Sequence, residues 1–167
     1  VATSLAAESD MPVTGLILSS THLGFRLPSG KPLMPRYATR IERLETKGSS
    51  LEYGLERARR NTPDGTSDAV VSFLANIALD IRLEQIRDGG RMSQEANNAA
   101  FSDRIKVPVL ILSGGKDTVI SDEMHNALTS AFPVAEQIVF PDAGHASYAE
   151  CPEEYHAEII TFAKKTA

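Results

Sequence analysis

The stretch Val107-Pro-Val-Leu-Ile-Leu-Ser-Gly-Gly-Lys-Asp117 decides the fold. Its run from Val107 to Ser113 is almost continuously apolar and is bounded by turn residues, which predicts a strand buried on both faces. Ser121 can then cap a helix over Asp122 to Phe132, and Glu136-Gln-Ile-Val-Phe140 predicts a second strand. Because strands and helices alternate here, we expect an α/β fold with a doubly wound, mostly parallel sheet and right-handed crossovers.

Outside this unit the same α/β pattern continues in both directions. Pro152 suits the first turn of a final helix, whose apolar stripe would consist of Tyr155, Ile159, Phe162 and Ala163. Near the other end, a helix over Val1 to Ala7 would precede a buried strand over Val13 to Ser20. A loop rich in Pro and Gly would follow over Thr21 to Pro35.

The middle of the chain, from about Arg36 to Ser102, reads as helical. In the run after Ser67 and Asp68, either of which could cap it, four apolar residues fall at helical spacing: Val70, Phe73, Leu74 and Ile77. We interpret the apolar residues of this region as packing residues and not as a cofactor site. The predicted organisation is therefore a core over residues 1–21, a helical cap over 22–104 and a second core over 105–167.

Composition excludes several classes of function. The 167 residues carry 17 basic and 22 acidic side chains, a formal net charge of −5, so a nucleic-acid partner is not expected. The single cysteine, Cys151, excludes an internal disulfide and is interpreted as structural. No apolar run reaches membrane-spanning length, no metal-ligand spacing is convincing, and we expect neither a cofactor nor a membrane partner. We expect a cytoplasmic location, with a signal peptide left open because Val1 does not look like a natural start.

Two residues that follow predicted strands carry the chemistry. Asp117 and His145 each lie beyond the carboxyl end of a strand, where open parallel sheets place functional groups, so both would face one crevice. A carboxylate there can fix one imidazole tautomer while the histidine removes a hydroxyl proton. A turn-forming aspartate and a packed histidine are the plainer alternatives, and Asp142 is a rival acid that a Pro-Asp-Ala-Gly turn explains more simply.

The remaining histidines are weaker candidates. His22 lies at the mouth of the presumed crevice and could contact substrate, as could Val119. His125 and His156 fall on predicted helices and are expected to be solvated.

Three motifs together resemble the C-terminal third of α/β-hydrolase-fold enzymes. Ile105-Lys-Val-Pro-Val-Leu-Ile-Leu-Ser-Gly-Gly-Lys-Asp117 resembles the family's I-x-V-P-x-L-x-x-x-G-x-x-D strand and acid turn. Phe140-Pro-Asp-Ala-Gly-His145 resembles its G-H loop, and Cys151-Pro-Glu-Glu154 its closing helix. The resemblance implies a Ser-His-Asp triad in which Asp117 orients His145, and the cap layout resembles enol-lactonase and non-metal haloperoxidase-like members.

Upstream, Val1-Ala2-x-x-Leu5-Ala6 resembles the helix that follows the family's nucleophile elbow, yet no G-x-S-x-G occurs in the sequence. The resemblance thus places the serine about five residues before Val1, in an N-terminal half of the fold that would be a partner of this chain, as the same polypeptide or a separate one.

We therefore expect a hydrolase of a small ester, lactone or related acyl substrate, inactive and not a stable monomer as this segment alone. A non-catalytic receptor or interaction module, and a lyase or carbon–carbon hydrolase, are the alternatives.

Overall fold

The computed structural model describes residues 2–8, 10, 12–24, 36–48, 50–95 and 97–167. Three parallel strands form one sheet in the order β1 (Leu16–Ser19), β2 (Val109–Gly114) and β3 (Glu136–Phe140). The helices are α1 (Ala2–Glu8), α2 (Arg36–Lys47), α3 (Leu51–Asn61), α4 (Asp68–Ile77), α5 (Leu83–Glu95), α6 (Ala99–Ser102), α7 (Asp122–Ala131), α8 (Ser147–Glu150) and α9 (Pro152–Thr166). A 3-10 turn, Ala78–Asp80, follows α4.

The first two strands begin later than the sequence predicted. The ladder pairs Leu16 with Val109, and the Leu16 N–H donates to the Pro108 carbonyl at 2.9 Å. Because Pro108 has no N–H to donate, the ladder ends at this proline. The predicted starts at Val13 and Val107 were too early for that reason.

Helices cover both faces of the sheet, as predicted. On one face Leu16, Leu18 and Ile111 pack with Leu128 and Phe132 from the end of α7. On the other face, the alternate β2 residues Leu110 and Leu112 pack with Phe140, Tyr155 and Phe162, the last two from α9. Since successive side chains of a strand point to opposite faces, both faces of β2 are buried, which confirms the α/β class and the mostly parallel sheet.

Between β1 and β2, the helices α3 and α4 pack against each other at backbone distance. A Cβ atom at Gly54 of α3 would overlap the Ala75 carbonyl oxygen of α4, so glycine permits this approach. The buried face of α4 consists of Val71, Leu74 and Ala75, which pack with Ala58 of α3 and with Ala146.

One expectation for α4 was wrong. Phe73 and Ile77 were predicted to pack, but they are 55% and 45% exposed. The buried face centres on Val71 and Ala75 instead, because the contact through Gly54 turns that side of α4 toward α3. The exposed side of α4 therefore carries two large apolar side chains.

Some expectations lie outside the described residues. The loop expected over Thr21 to Pro35 is described only as far as Gly24. Among the helices that are described, none combines the length and apolar character needed to cross a bilayer. The division into a cap over 22–104 and two core segments stays a prediction.

Candidate active site

The acid turn follows β2 directly and is held by backbone hydrogen bonds. The Gly115 N–H donates to the Phe140 carbonyl at 2.8 Å, and the Lys116 N–H donates to the Ala143 carbonyl at 2.9 Å. Both acceptors belong to the chain that leaves β3. The turn after β2 is thus fastened to the loop after β3, which carries His145.

Glycines allow these two loops to touch through their backbones. A Cβ atom at Gly114 would overlap the Gly144 carbonyl oxygen, and one at Gly115 would lie 2.7 Å from the Pro141 oxygen. Any larger residue at either position would push the loops apart. The two glycines before Asp117 therefore set its distance to the histidine.

Asp117 and His145 form a direct hydrogen bond. His145 Nδ1 lies 2.9 Å from Asp117 Oδ2, and the side chains are 27% and 6% exposed, respectively. Asp117 Oδ1 accepts hydrogen bonds from the N–H groups of Val119 at 2.7 Å and Ile120 at 3.0 Å. The carboxylate therefore has an orientation fixed by three donors.

The charge state of Asp117 follows from these contacts. Burial on its own raises the pKa of the Asp117 carboxyl, but the hydrogen bond from His145, those from Ile120 and Val119 and the attraction of His145 together lower it below its usual value. An ionised carboxylate can only accept, so Nδ1 of His145 must carry the hydrogen. In the neutral ring Nε2 is then free to accept a proton.

The rival acid, Asp142, has a different hydrogen-bond partner. Its Oδ1 accepts a hydrogen bond from Lys116 Nζ at 2.7 Å, and its side chain is 89% exposed. The hydrogen bond and the charge of Lys116 lower the pKa of this exposed carboxyl. Asp142 therefore has a surface partner, and the sequence-based preference for Asp117 agrees with the geometry.

His145 opens onto a cavity of about 420 Å³ between the sheet and the middle helices. Its wall combines the carboxyl end of β1 with residues of α3, α4 and α8, among them Ser19, Ser20, Arg57, Leu74, Ala146 and Tyr148. Ser19 Oγ accepts a hydrogen bond from the Tyr155 hydroxyl at 2.8 Å. The cavity thus has a helix side that combines the apolar Leu74 with the cationic Arg57, and a hydroxyl-bearing side from β1.

The two predicted substrate contacts lie outside this wall. Val119 acts on the site through its N–H, which binds Asp117. His22 is half-buried near the site: burial lowers the pKa of its ring, a hydrogen bond with the Gly24 backbone opposes that, and the charge of His145 lowers it further. Neither residue borders the 420 Å³ cavity, so a role in substrate binding stays a prediction for both.

The other candidate side chains take structural positions. His125 was expected to be solvated, but it is half-buried, with Nδ1 3.3 Å from Ser113 Oγ, because α7 packs against the end of β2. His156 is exposed on α9, as expected. The Cys151 thiol donates to the Ser147 carbonyl at 3.2 Å. Burial raises the pKa of the thiol, and the charges of Glu154 and Glu150 raise it further, so a reactive thiolate is disfavoured.

Sequence reasoning missed two residues that hold the histidine loop. The Asn61 carbonyl, at the end of α3, accepts from the His145 N–H at 2.9 Å. Glu150 Oε2 accepts from the Gly144 and Ala146 N–H groups at 2.9 and 3.2 Å. A carboxylate five residues after the histidine was visible in the sequence, but a backbone carbonyl leaves no sequence signal. In the part of the chain that the structure describes, no three His, Cys, Asp or Glu side chains converge on a potential metal site.

Three comparisons relate this geometry to known proteins. A protein of Yersinia pestis named as a candidate carboxymethylenebutenolidase is 53% identical over 55 residues, which are 30% of this chain and 21% of that protein. The enol-lactonase of Burkholderia xenovorans LB400 superposes with a TM-score of 0.79 at 18% identity, over 98% of this chain and 61% of the enzyme. A thermophilic esterase of Thermogutta terrifontis gives 0.80 at 22% identity, over 99% of this chain and 61% of the esterase.

The chain accordingly spans about a fifth of that curated relative and about three fifths of these solved structures. Sequence identity to both structures is below a quarter, so these similarities show the fold and nothing more. The family model for the alpha/beta hydrolase fold matches residues 1–152, which is most of the sequence. The chain therefore belongs to the alpha/beta hydrolase fold family.

Proposed function

We propose that these residues are the C-terminal portion of a hydrolase that cleaves a small ester, lactone or related acyl substrate through a Ser-His-Asp triad. The observation that carries the proposal is the 2.9 Å hydrogen bond between His145 Nδ1 and Asp117 Oδ2. It is formed between residues that follow adjacent parallel strands, and it leaves Nε2 of the imidazole available at a cavity.

The proposed chemistry assigns one proton path to this pair. Nε2 of His145 takes the proton of the serine hydroxyl as the serine oxygen attacks the substrate carbonyl. The imidazolium, stabilised by Asp117, then gives that proton to the leaving oxygen, and an acyl-serine remains. A water molecule, deprotonated by the same nitrogen, attacks the acyl carbon, and the imidazolium then gives its proton to the serine oxygen as the acid is released.

The serine in this scheme comes from outside the 167 residues. Within the described sheet, β1 pairs only with β2, which leaves its other edge open to a further strand. Ser19 and Ser20, at the carboxyl end of β1, border the cavity that His145 also borders. A strand placed beside β1 would deliver a residue at its own carboxyl end to the same cavity. We propose that the nucleophile reaches His145 by this route, so that the segment alone is inactive.

The substrate class rests on the cavity and on the similar proteins. A volume of about 420 Å³ whose wall combines apolar and hydroxyl-bearing side chains with Arg57 suits a small acyl compound. Structures similar in fold include an enol-lactonase and an esterase. The non-catalytic alternative is disfavoured, because a binding protein has no chemical need for a carboxylate that fixes the tautomer of one histidine.

Replacement of His145 by Ala in the complete protein tests the proposal. We expect nearly all hydrolysis of an activated ester such as p-nitrophenyl acetate, and of a simple aryl lactone, to be lost. The matched control is His156→Ala, since His156 is exposed on α9 and does not itself border the cavity. Wild-type turnover by the His145 variant would refute the assignment.

A further inference from the structure

We propose that Glu150 is a positioning residue for His145. Its carboxylate accepts hydrogen bonds from the backbone N–H groups of the residues directly before and after His145, Gly144 and Ala146. The inference rests on the proposed function, because it assigns Glu150 a role in the same reaction. Glu150 does not border the cavity and does not contact the imidazole. Its effect on turnover would therefore be indirect.

The hydrogen bonds at the histidine loop involve three consecutive backbone donors. Glu150 Oε2 accepts from Gly144 at 2.9 Å and from Ala146 at 3.2 Å. The N–H between them, that of His145, donates to the Asn61 carbonyl at 2.9 Å. With all three donors bound, the peptide planes on both sides of His145 have little freedom to rotate.

The Glu150 carboxyl is half-buried, and its hydrogen-bond partners lie in the histidine loop and in the turn after α3. The pKa of the Glu150 carboxyl is raised, first by burial and also by the charge of Asp117, while the hydrogen bonds from the Gly144 and Ala146 N–H groups and from the Thr66 side chain lower it. No Lys or Arg forms an ion pair with Glu150 among the residues that the structure describes. The two backbone donors, together with the Thr66 side chain, thus compensate for taking this charge out of water.

The same loop is enclosed from the side of the middle helices. A Cβ atom at Gly144 would lie 2.8 Å from Pro63 Cδ and 2.9 Å from the Asn61 oxygen. Asn61 is the last residue of α3, and Pro63 lies in the turn after it. The backbone of the histidine loop therefore lies between Glu150 on one side and the α3 terminus on the other.

The position of this backbone decides where Nε2 of His145 lies. Asp117 fixes the other ring nitrogen, so the imidazole is oriented by its carboxylate partner and by its own main chain. Release of the Gly144 and Ala146 N–H groups would let the loop shift relative to Asp117. A misplacement of about 1 Å can cost on the order of a hundredfold in rate.

The test compares Glu150→Gln with Glu150→Met in the complete protein. The two replacement side chains have similar volume, but only Gln provides an oxygen that can accept from both N–H groups. For Met we expect kcat on the activated ester to fall about a hundredfold with KM nearly unchanged. For Gln we expect kcat within about tenfold of wild type, since the acceptor is kept but its charge is lost. Glu153→Met, at an exposed carboxylate of α9, is the matched control and should leave kcat unchanged.

Hydrogen exchange of the Gly144 and Ala146 N–H groups supplies a readout that does not depend on activity. Exchange at these two positions should accelerate in the Met variant and stay close to wild type in the Gln variant. Wild-type kcat in the Met variant, or a reduced kcat with unchanged exchange, would overturn the proposal. If the Met variant does not fold, Glu150→Asp supplies the same comparison, because a side chain shorter by one methylene cannot reach both donors.

Failure of this inference is distinguishable from failure of the proposed function. If His145→Ala keeps full turnover, the triad assignment is wrong, whatever the exchange rates show. If His145→Ala abolishes turnover while Glu150→Met leaves both kcat and exchange unchanged, the triad stands and the role of Glu150 is refuted.

Discussion

Replacement of Asp117 by Asn should nearly abolish turnover while leaving the fold intact. Asp117 Oδ1 accepts from two N–H groups, and Oδ2 accepts from His145 Nδ1. An Asn side chain has one acceptor oxygen and one NH2 group. Its oxygen must remain toward the Val119 and Ile120 N–H groups, because the NH2 group in that place would face two donors. The NH2 group then faces His145 Nδ1.

This exchange of an acceptor for a donor reverses the tautomer of the imidazole. Nδ1 must accept from Asn, so the ring hydrogen moves to Nε2, and Nε2 can no longer remove a proton. In a serine protease triad the equivalent change reduces kcat about 10⁴-fold, which corresponds to about 5 kcal/mol of transition-state stabilisation. We expect a loss of that order here, since the hydrogen bond has the same partners and the carboxylate has two further donors that restrict its rotation.

The assay is steady-state hydrolysis of p-nitrophenyl acetate by the complete protein. Asp142→Asn is the matched control, because Asp142 is the rival acid on the loop that carries His145 and binds Lys116 at the surface. The control should retain wild-type kcat. A decrease of less than tenfold in the Asp117 variant, or equal losses in both variants, would refute the tautomer argument.

Two further expectations concern stability. Gly54→Ala should destabilise the fold by about 1–3 kcal/mol in urea denaturation, because its Cβ would overlap a backbone oxygen of α4 that cannot rotate aside. Gly89→Ala, in open space on α5, should instead stabilise the fold by roughly 0.5–1 kcal/mol. Equal effects at the two sites would contradict the packing argument. Because the folded-state pKa of Asp117 is lowered, its ionised form stabilises the fold at pH above its ordinary value of about 4, and that stabilisation is lost as pH falls through the lowered pKa. The stability difference between wild type and Asp117→Asn should therefore be present at pH 5 and shrink below about pH 4, whereas a difference that is constant down to pH 3 would contradict it.

Local sequence patterns determined most of the architecture. The apolar run that forms β2 and the apolar stripe of α9 are encoded by residues a few positions apart, so their periodicity is visible in the chain itself. The strand over Glu136–Phe140 was placed correctly at both ends, and the Ser121 side chain caps α7 by accepting from the Met124 N–H at 3.3 Å. The choice of Asp117 and His145 also came from local context, since each follows a strand.

Tertiary structure decided what depends on contacts between distant segments. The Gly54 approach determined which side of α4 is buried, and no periodicity in α4 alone encodes the position of its neighbour. One of the hydrogen bonds that restrain the histidine loop is made by the Asn61 carbonyl, a main-chain group that every residue type carries. The sequence could therefore name the acid and the base, but only the folded backbone fixed the distance between them and the groups that maintain it.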